Sequence, residues 1–186
     1  MDLPALALIE VNSIARGVVV ADAMVKKAPV RLLQSHPVSP GKHVVVFAGG
    51  VAEVDEALAA GVTAAAATLV DRLFLPHAHG SLAPLVAGRP AHPPGGRYEA
   101  VGIFETFTLA ATIAAADAAA KAAEVTLCEM RLGQGIGGKA YFTMTGELDA
   151  VEAAAGAARA AIEPGLVAAV EIIASPHEDL RTKLFF

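Results

Sequence analysis

At 186 residues the chain is close to one ordinary domain in size, yet it also accommodates two units of about 85 to 90 residues, each able to bury a modest core. Hydrophobic residues make up 55% of it and mean hydropathy is +0.54, but no run approaches the roughly 18 to 20 apolar residues of a membrane span. A net charge of -5 with scattered cations leaves nucleic-acid binding without its electrostatic driver, and a single cysteine, Cys128, excludes an internal disulfide framework and fits a reducing compartment.

In chain order, residues 5–11 read as a buried strand. Asn12 and Ser13 supply capping oxygens for a helix over 14–27, with Ile14, Val18, Ala21 and Val25 on one face. Strands over 30–35 and 43–47 flank a loop at 37–41. Gly49 turns the chain into a second helix with Val51, Val54 and Leu58 inward, and the apolar run 57–70, bounded by Glu56 and Asp71, reads as buried helix. A strand at 73–75 follows. The proline- and glycine-rich stretch 86–97 reads as a linker.

The second half then echoes the first. Ala7-Leu8-Ile9-Glu10 through Ala21-Asp22-Ala23-Met24-Val25-Lys26 recurs without a gap as Gly102-Ile103-Phe104-Glu105 through Ala116-Asp117-Ala118-Ala119-Ala120-Lys121. Thr106 or Thr108 caps the repeated helix, with Leu109, Ile113, Ala116 and Ala120 on its face. Strands over 125–130 and 140–145 enclose a longer loop at 133–138. A helix with Leu148, Val151 and Ala155 inward and a strand over 168–174 close the copy. The order strand, helix, strand, strand, helix, strand, occurring twice, predicts an α+β chain of two domains. Each is an antiparallel-rich four-stranded sheet with helices on one face, related to the ferredoxin-like arrangement. The expected limits are 4–85 for the first domain, 86–97 for the linker and 98–186 for the second. Apolar excess without a span implies surface covered by other subunits, so an oligomer is expected. The opening residues lack a basic stretch followed by an apolar one, so no secretory leader is expected.

The residues offer little to catalysis. Glu10 and Glu105 end the first strand of each copy without an identifiable acid or nucleophile beside them, and a hydrogen bond to loop backbone is the expected role. His77 and His79, two apart on an extended segment, point to opposite faces, and His36, His43, His92 and His177 have no ligand spacing. No metal, cofactor or catalytic set is therefore expected. The loop Gly133-Gln134-Gly135-Ile136-Gly137-Gly138 fails as a phosphate cradle, because a strand follows it instead of a helix. Cys128 matches Leu33 within a strand and reads as a buried thiol.

Ala21-Asp22-Ala23-Met24-Val25-Lys26, the loop Pro37-Val38-Ser39-Pro40-Gly41-Lys42 and the late Ser175-Pro176-His177-Glu178 together resemble the bacterial microcompartment shell domain. Two such domains in one chain resemble the tandem-domain, trimer-forming class of these proteins. The resemblance implies a homotrimer that mimics a hexamer, with a central pore for small polar metabolites. It also implies edge-to-edge contact with hexameric tiles and pentameric vertex proteins in the shell of a cytoplasmic organelle, with no membrane and no nucleic acid. It carries the pore lining onto Ser39, Pro40 and Gly41 in one copy and Ile136, Gly137 and Gly138 in the other, and the tile edge onto Lys26, Lys121, His79 and His177. His77 and Ser175 stand where the family often has an arginine, and Pro29 and Glu124 where it often has an asparagine. Lys42, Lys139, His36 and Arg131 beside the loops suggest a mildly anion-attracting passage. A different reading of the duplication is a small-ligand-binding regulatory protein built from ferredoxin-like units.

Overall fold

The computed structural model describes residues 4–96 and 98–181. Arg97, the last expected linker residue, and 182–186, the expected end of the second domain, lie outside the described residues. The first copy runs β1 (Ala5–Val11), α1 (Ile14–Lys27), β2 (Arg31–Val38), β3 (Lys42–Gly49), α2 (Val51–Ala65), β4 (Leu69–Leu75) and a short α3 (Leu82–Val86). The second repeats it as β5 (Ala100–Thr106), α4 (Leu109–Ala122), β6 (Thr126–Leu132), β7 (Ala140–Gly146), α5 (Leu148–Ala160), β8 (Val167–Ile173) and a final turn of helix, α6 (Glu178–Arg181). Each sheet is antiparallel, ordered β2-β3-β1-β4 in one copy and β6-β7-β5-β8 in the other, with the long helices on one face. The chain divides into two compact units between Ala87 and Gly88, and Gly133–Gly138 groups with the first unit although the sequence places it in the second copy.

Local chemistry sets the helix starts. Ser13 accepts the Arg16 backbone N–H and Thr108 accepts that of Ala111, both at 3.2 Å, satisfying an otherwise unpaired donor of each first turn. The duplication extends to defects in the ladders. Both second strands carry a bulge at the same place, between Leu32 and Gln34 and between Leu127 and Glu129, so Leu33 and Cys128 are the corresponding extra residues.

In the first unit Ala5, Ala7, Ile9, Val45 and Phe47 of the sheet pack with Val20, Met24, Val54 and Ala57 of the helices. In the second, Phe104 and Phe142 stack with ring centroids 5.3 Å apart. The expected inner face of α1 is corrected. Gly17, Val20, Ala21 and Met24 are its buried residues, whereas Ile14, Val18 and Val25 are exposed. Gly17 explains the rotation: a Cβ there would lie 2.3 Å from the His43 ring, so the glycine face is the one that can approach the sheet. Val51 and Leu148, also expected inward, are exposed because each opens the first turn of its helix. Strand β2 continues through Pro37 and Val38, shortening the first loop to Ser39–Gly41, and β4 begins four residues before the expected 73. Within the expected linker, α3 ends at the buried Val86 and Pro94–Gly96 forms a 3-10 turn.

Candidate functional site

The two loops leave equivalent strands. Register places His36 opposite Val44 and Arg131 opposite Tyr141, with Val44 and Tyr141 paired in turn to Glu10 and Glu105. His36 and Arg131 are therefore twins, as are Gln34 and Glu129. The first loop is a tight turn of exposed Ser39, Pro40 and Gly41, with a cis Ser39–Pro40 peptide and Gly41 at φ 89°. In the second, Gly133, Gly135, Gly137 and Gly138 all have positive φ, between 67° and 81°, a region glycine enters without steric cost. Ile136 is half-buried among them. A Cβ on Gly138 would lie 2.6 Å from the Ser39 carbonyl oxygen, so this residue type is required for the two loops to meet.

The charges beside the loops are mostly cancelled. Lys42 Nζ donates to Glu10 Oε1 at 2.7 Å and Lys139 Nζ to Glu105 Oε1 at 3.2 Å. The two glutamates thus bind lysines at the starts of β3 and β7, which replaces the expected bond to loop backbone: both carboxylates lie on the strand face that these lysines reach. Lys139 also stands 5.7 Å from the centroid of the exposed Phe107 ring, a cation–π approach. Arg131 Nε donates to the buried Glu129 at 2.5 Å; this bond, then the charge of Glu129, raises the Arg131 pKa. Of the four residues from which an anion-attracting passage is expected, Lys42, Lys139 and Arg131 each have a carboxylate partner.

His36 is different. Its Nε2 lies 2.8 Å from Gln34 Oε1 and its Nδ1 3.1 Å from the Pro37 carbonyl oxygen, while Gln34 Nε2 donates to the Val86 carbonyl. On the opposite face of the sheet, His43 Nε2 meets Ser35 Oγ at 2.9 Å, and His43 Nδ1 is buried with no partner among the described residues. Burial first, and the charge of His36 second, hold the His43 pKa below its ordinary value.

At the candidate edge positions, Lys26 bonds Asp22 at 2.7 Å and Lys121 bonds Asp117 at 2.5 Å. Both lysines are exposed, and Asp117 is buried where Asp22 is not. His79 and His177 are exposed. His79 Nδ1 meets Ser81 Oγ at 2.8 Å, and His177 Nδ1 accepts the Asp179 backbone N–H at 3.2 Å. The segment carrying His77 and His79 turns instead of extending, with the Ala78 N–H bonded to the Pro4 carbonyl at 2.7 Å. Among the described residues no group of three or more His, Cys, Asp or Glu side chains is placed to hold a metal, and no helix is long and apolar enough to cross a membrane. Cys128 is buried, and burial, then the neighbouring Glu129, pushes its thiol up to about 12. Sequence reasoning missed Gln34 and Glu129 as the partners of His36 and Arg131. The available signal was their spacing, two residues before His36 and Arg131, which puts each pair on one strand face.

A sequence model described as the BMC domain matches the chain twice, over residues 5–78 and 100–176. The bacterial microcompartment shell protein PduT of Citrobacter freundii is 40% identical over 177 residues, 95% of each chain. The crystal structure of a microcompartment protein from Desulfitobacterium hafniense DCB matches with a TM-score of 0.90 at 41% identity, over 97% of this chain and 99% of that one. A fused permuted hexameric shell protein of the RMM microcompartment matches at TM-score 0.61 and 23% identity, over 84% and 83% of the two chains, a likeness of fold alone.

Proposed function

Because the chain belongs to the BMC-domain family and is a bacterial microcompartment shell protein of the tandem-domain class, we propose that three copies of it close into a ring of six domains, a pseudohexameric tile. Shell proteins of this family are structural and not catalytic. The loops Ser39–Gly41 and 133–138 meet on the ring axis, with Ser39, Pro40, Gly41, Ile136, Gly137 and Gly138 lining an opening for small polar metabolites. Lys26, Lys121, His79 and His177 lie along the rim, where the tile adjoins hexameric and pentameric shell proteins in a cytoplasmic microcompartment. The domain limits 4–85 and 98–186 are kept in this reading, with 86–97 as the connection.

The observation that carries it is the unequal burial of twin positions. Ile14 and Val18 on α1 are 45% and 58% exposed, while their twins Leu109 and Ile113 on α4 are 1% and 0% exposed. A chain thus leaves open in its first copy a surface that its second copy buries. Exposed apolar patches of this kind mark interaction surfaces. One that differs between the copies favours head-to-tail contact between chains, which closes into a ring when the rotation allows.

Native mass measurement coupled to negative-stain imaging tests this. Flat threefold particles of three times the 18.9 kDa chain mass are expected, and a monomer overturns the reading. Val18→Asp, a change at an exposed position, should leave the chain folded and abolish the trimer.

A further inference from the structure

The two copies hold the same site with different chemistry. Glu129 and Arg131 form an ion pair, a carboxylate against a guanidinium. In the first copy the twin positions hold Gln34 and His36, an amide that carries no charge and a ring that carries one only when protonated. Bond directions fix how that ring is used. The Val86 carbonyl can only accept, so Gln34 presents its amide N–H there and its Oε1 to His36 Nε2. Nε2 must therefore donate. The other nitrogen, Nδ1, faces the Pro37 carbonyl oxygen, a second acceptor. A neutral ring satisfies one of the two and turns a lone pair on the other, whereas an imidazolium donates to both.

We propose that His36 is the selectivity residue of the first copy's loop, a ring with two acceptors and no carboxylate partner among the described residues, which gives the passage a positive charge toward small anionic metabolites only when its ring is protonated. The proposal rests on the pore reading above and deepens it. Three chains would bring three such rings to one opening, where low-dielectric walls focus the field of an uncompensated charge.

The groups around the ring leave it in control of this charge. On β2 its neighbour is the neutral Gln34, and from α3 comes only the Val86 carbonyl, through that amide. From β3 come Lys42, already paired with Glu10 of β1, and His43, which sits on the opposite face against Gly17 of α1 and bonds Ser35. No carboxylate among the described residues bonds His36. Burial first, and the charge of His36 second, lower the His43 pKa, so the buried ring disfavours a charge of its own.

The test is reversal potential across planar bilayers carrying the native protein, under a potassium chloride gradient at pH 8 and pH 6. The anion-to-cation permeability ratio should rise about threefold at pH 6. His36→Gln should be flat at the lower value and His36→Arg flat at the higher, and Gln34→Glu should suppress the rise by supplying the missing carboxylate. A native protein without pH dependence, or His36→Gln retaining it, overturns the proposal while leaving the pore intact. A monomer in the native mass measurement overturns the pore reading itself. A measurement independent of any pore uses nitrogen-15 histidine-labelled protein: the resonance that vanishes in His36→Gln should show two ring N–H protons at pH 6, and one proton there sinks the proposal.

Discussion

Glu10 is fully buried yet ionisable, a costly arrangement unless its charge is met, and the Lys42 ammonium at 2.7 Å meets it. In the second copy the same pair is longer and more exposed, so twin residues share a partner without sharing an environment. His43 shows the cost of an unmet group. Its Nδ1 is buried without a partner among the described residues, and the ring's pKa is lowered, by burial above all. Between the ordinary value of 6.5 and the lower folded value, the unfolded chain binds a proton that the folded chain refuses. Stability therefore rises with pH there and is lost as pH falls below 6.5. Urea midpoints measured at pH 7.5 and 5.5 should differ less in His43→Gln than in the native chain. An unchanged difference would mean that His43 contributes nothing to the pH dependence.

Among the elements, the loops and α1 deviate most from what periodicity alone implies. Gly137 and Gly138 both have positive φ, but only Gly138 also has backbone in the way of a methyl group, with nothing near the Gly137 position. Gly137→Ala should cost about 1 kcal/mol, the usual penalty for an L-residue in this region, and Gly138→Ala distinctly more. Equal melting temperatures for the two variants would show that the loops do not press together there. Helix α1 carries two apolar stripes, one through Val20 and Met24 and one through Ile14, Val18 and Val25. The first packs on the sheet because Gly17 beside it admits the His43 ring.

For the whole molecule, duplication within one chain allows twin surfaces to diverge, which six identical chains cannot do. The acid partners of the edge lysines illustrate this, Asp22 being exposed and Asp117 buried. If the lysines lie along the tile rim, the double change Lys26→Ala, Lys121→Ala should leave the trimer intact and remove its association into sheets or with other shell proteins. Cosedimentation and electron microscopy would check it. Sheets formed unchanged would place the rim contacts elsewhere.

Strand and helix order, a cap at Asn12 or Ser13 and another at Thr106 or Thr108, the twin relation of His36 with Arg131 and the burial of Cys128 were all legible in the sequence, because they follow from local periodicity, capping chemistry and a gapless internal repeat; which of each pair caps, Ser13 and Thr108, was decided by the structure. The same letters could not say which apolar stripe of α1 faces the sheet, since that depends on how closely one glycine lets a histidine approach from another strand. Nor could they say which cations beside the loops are neutralised: Lys42 meets Glu10, 32 residues earlier, only when β1 and β3 pair. Charge compensation acts over a few ångströms of space, and sequence separation is blind to that distance until the sheet is assembled.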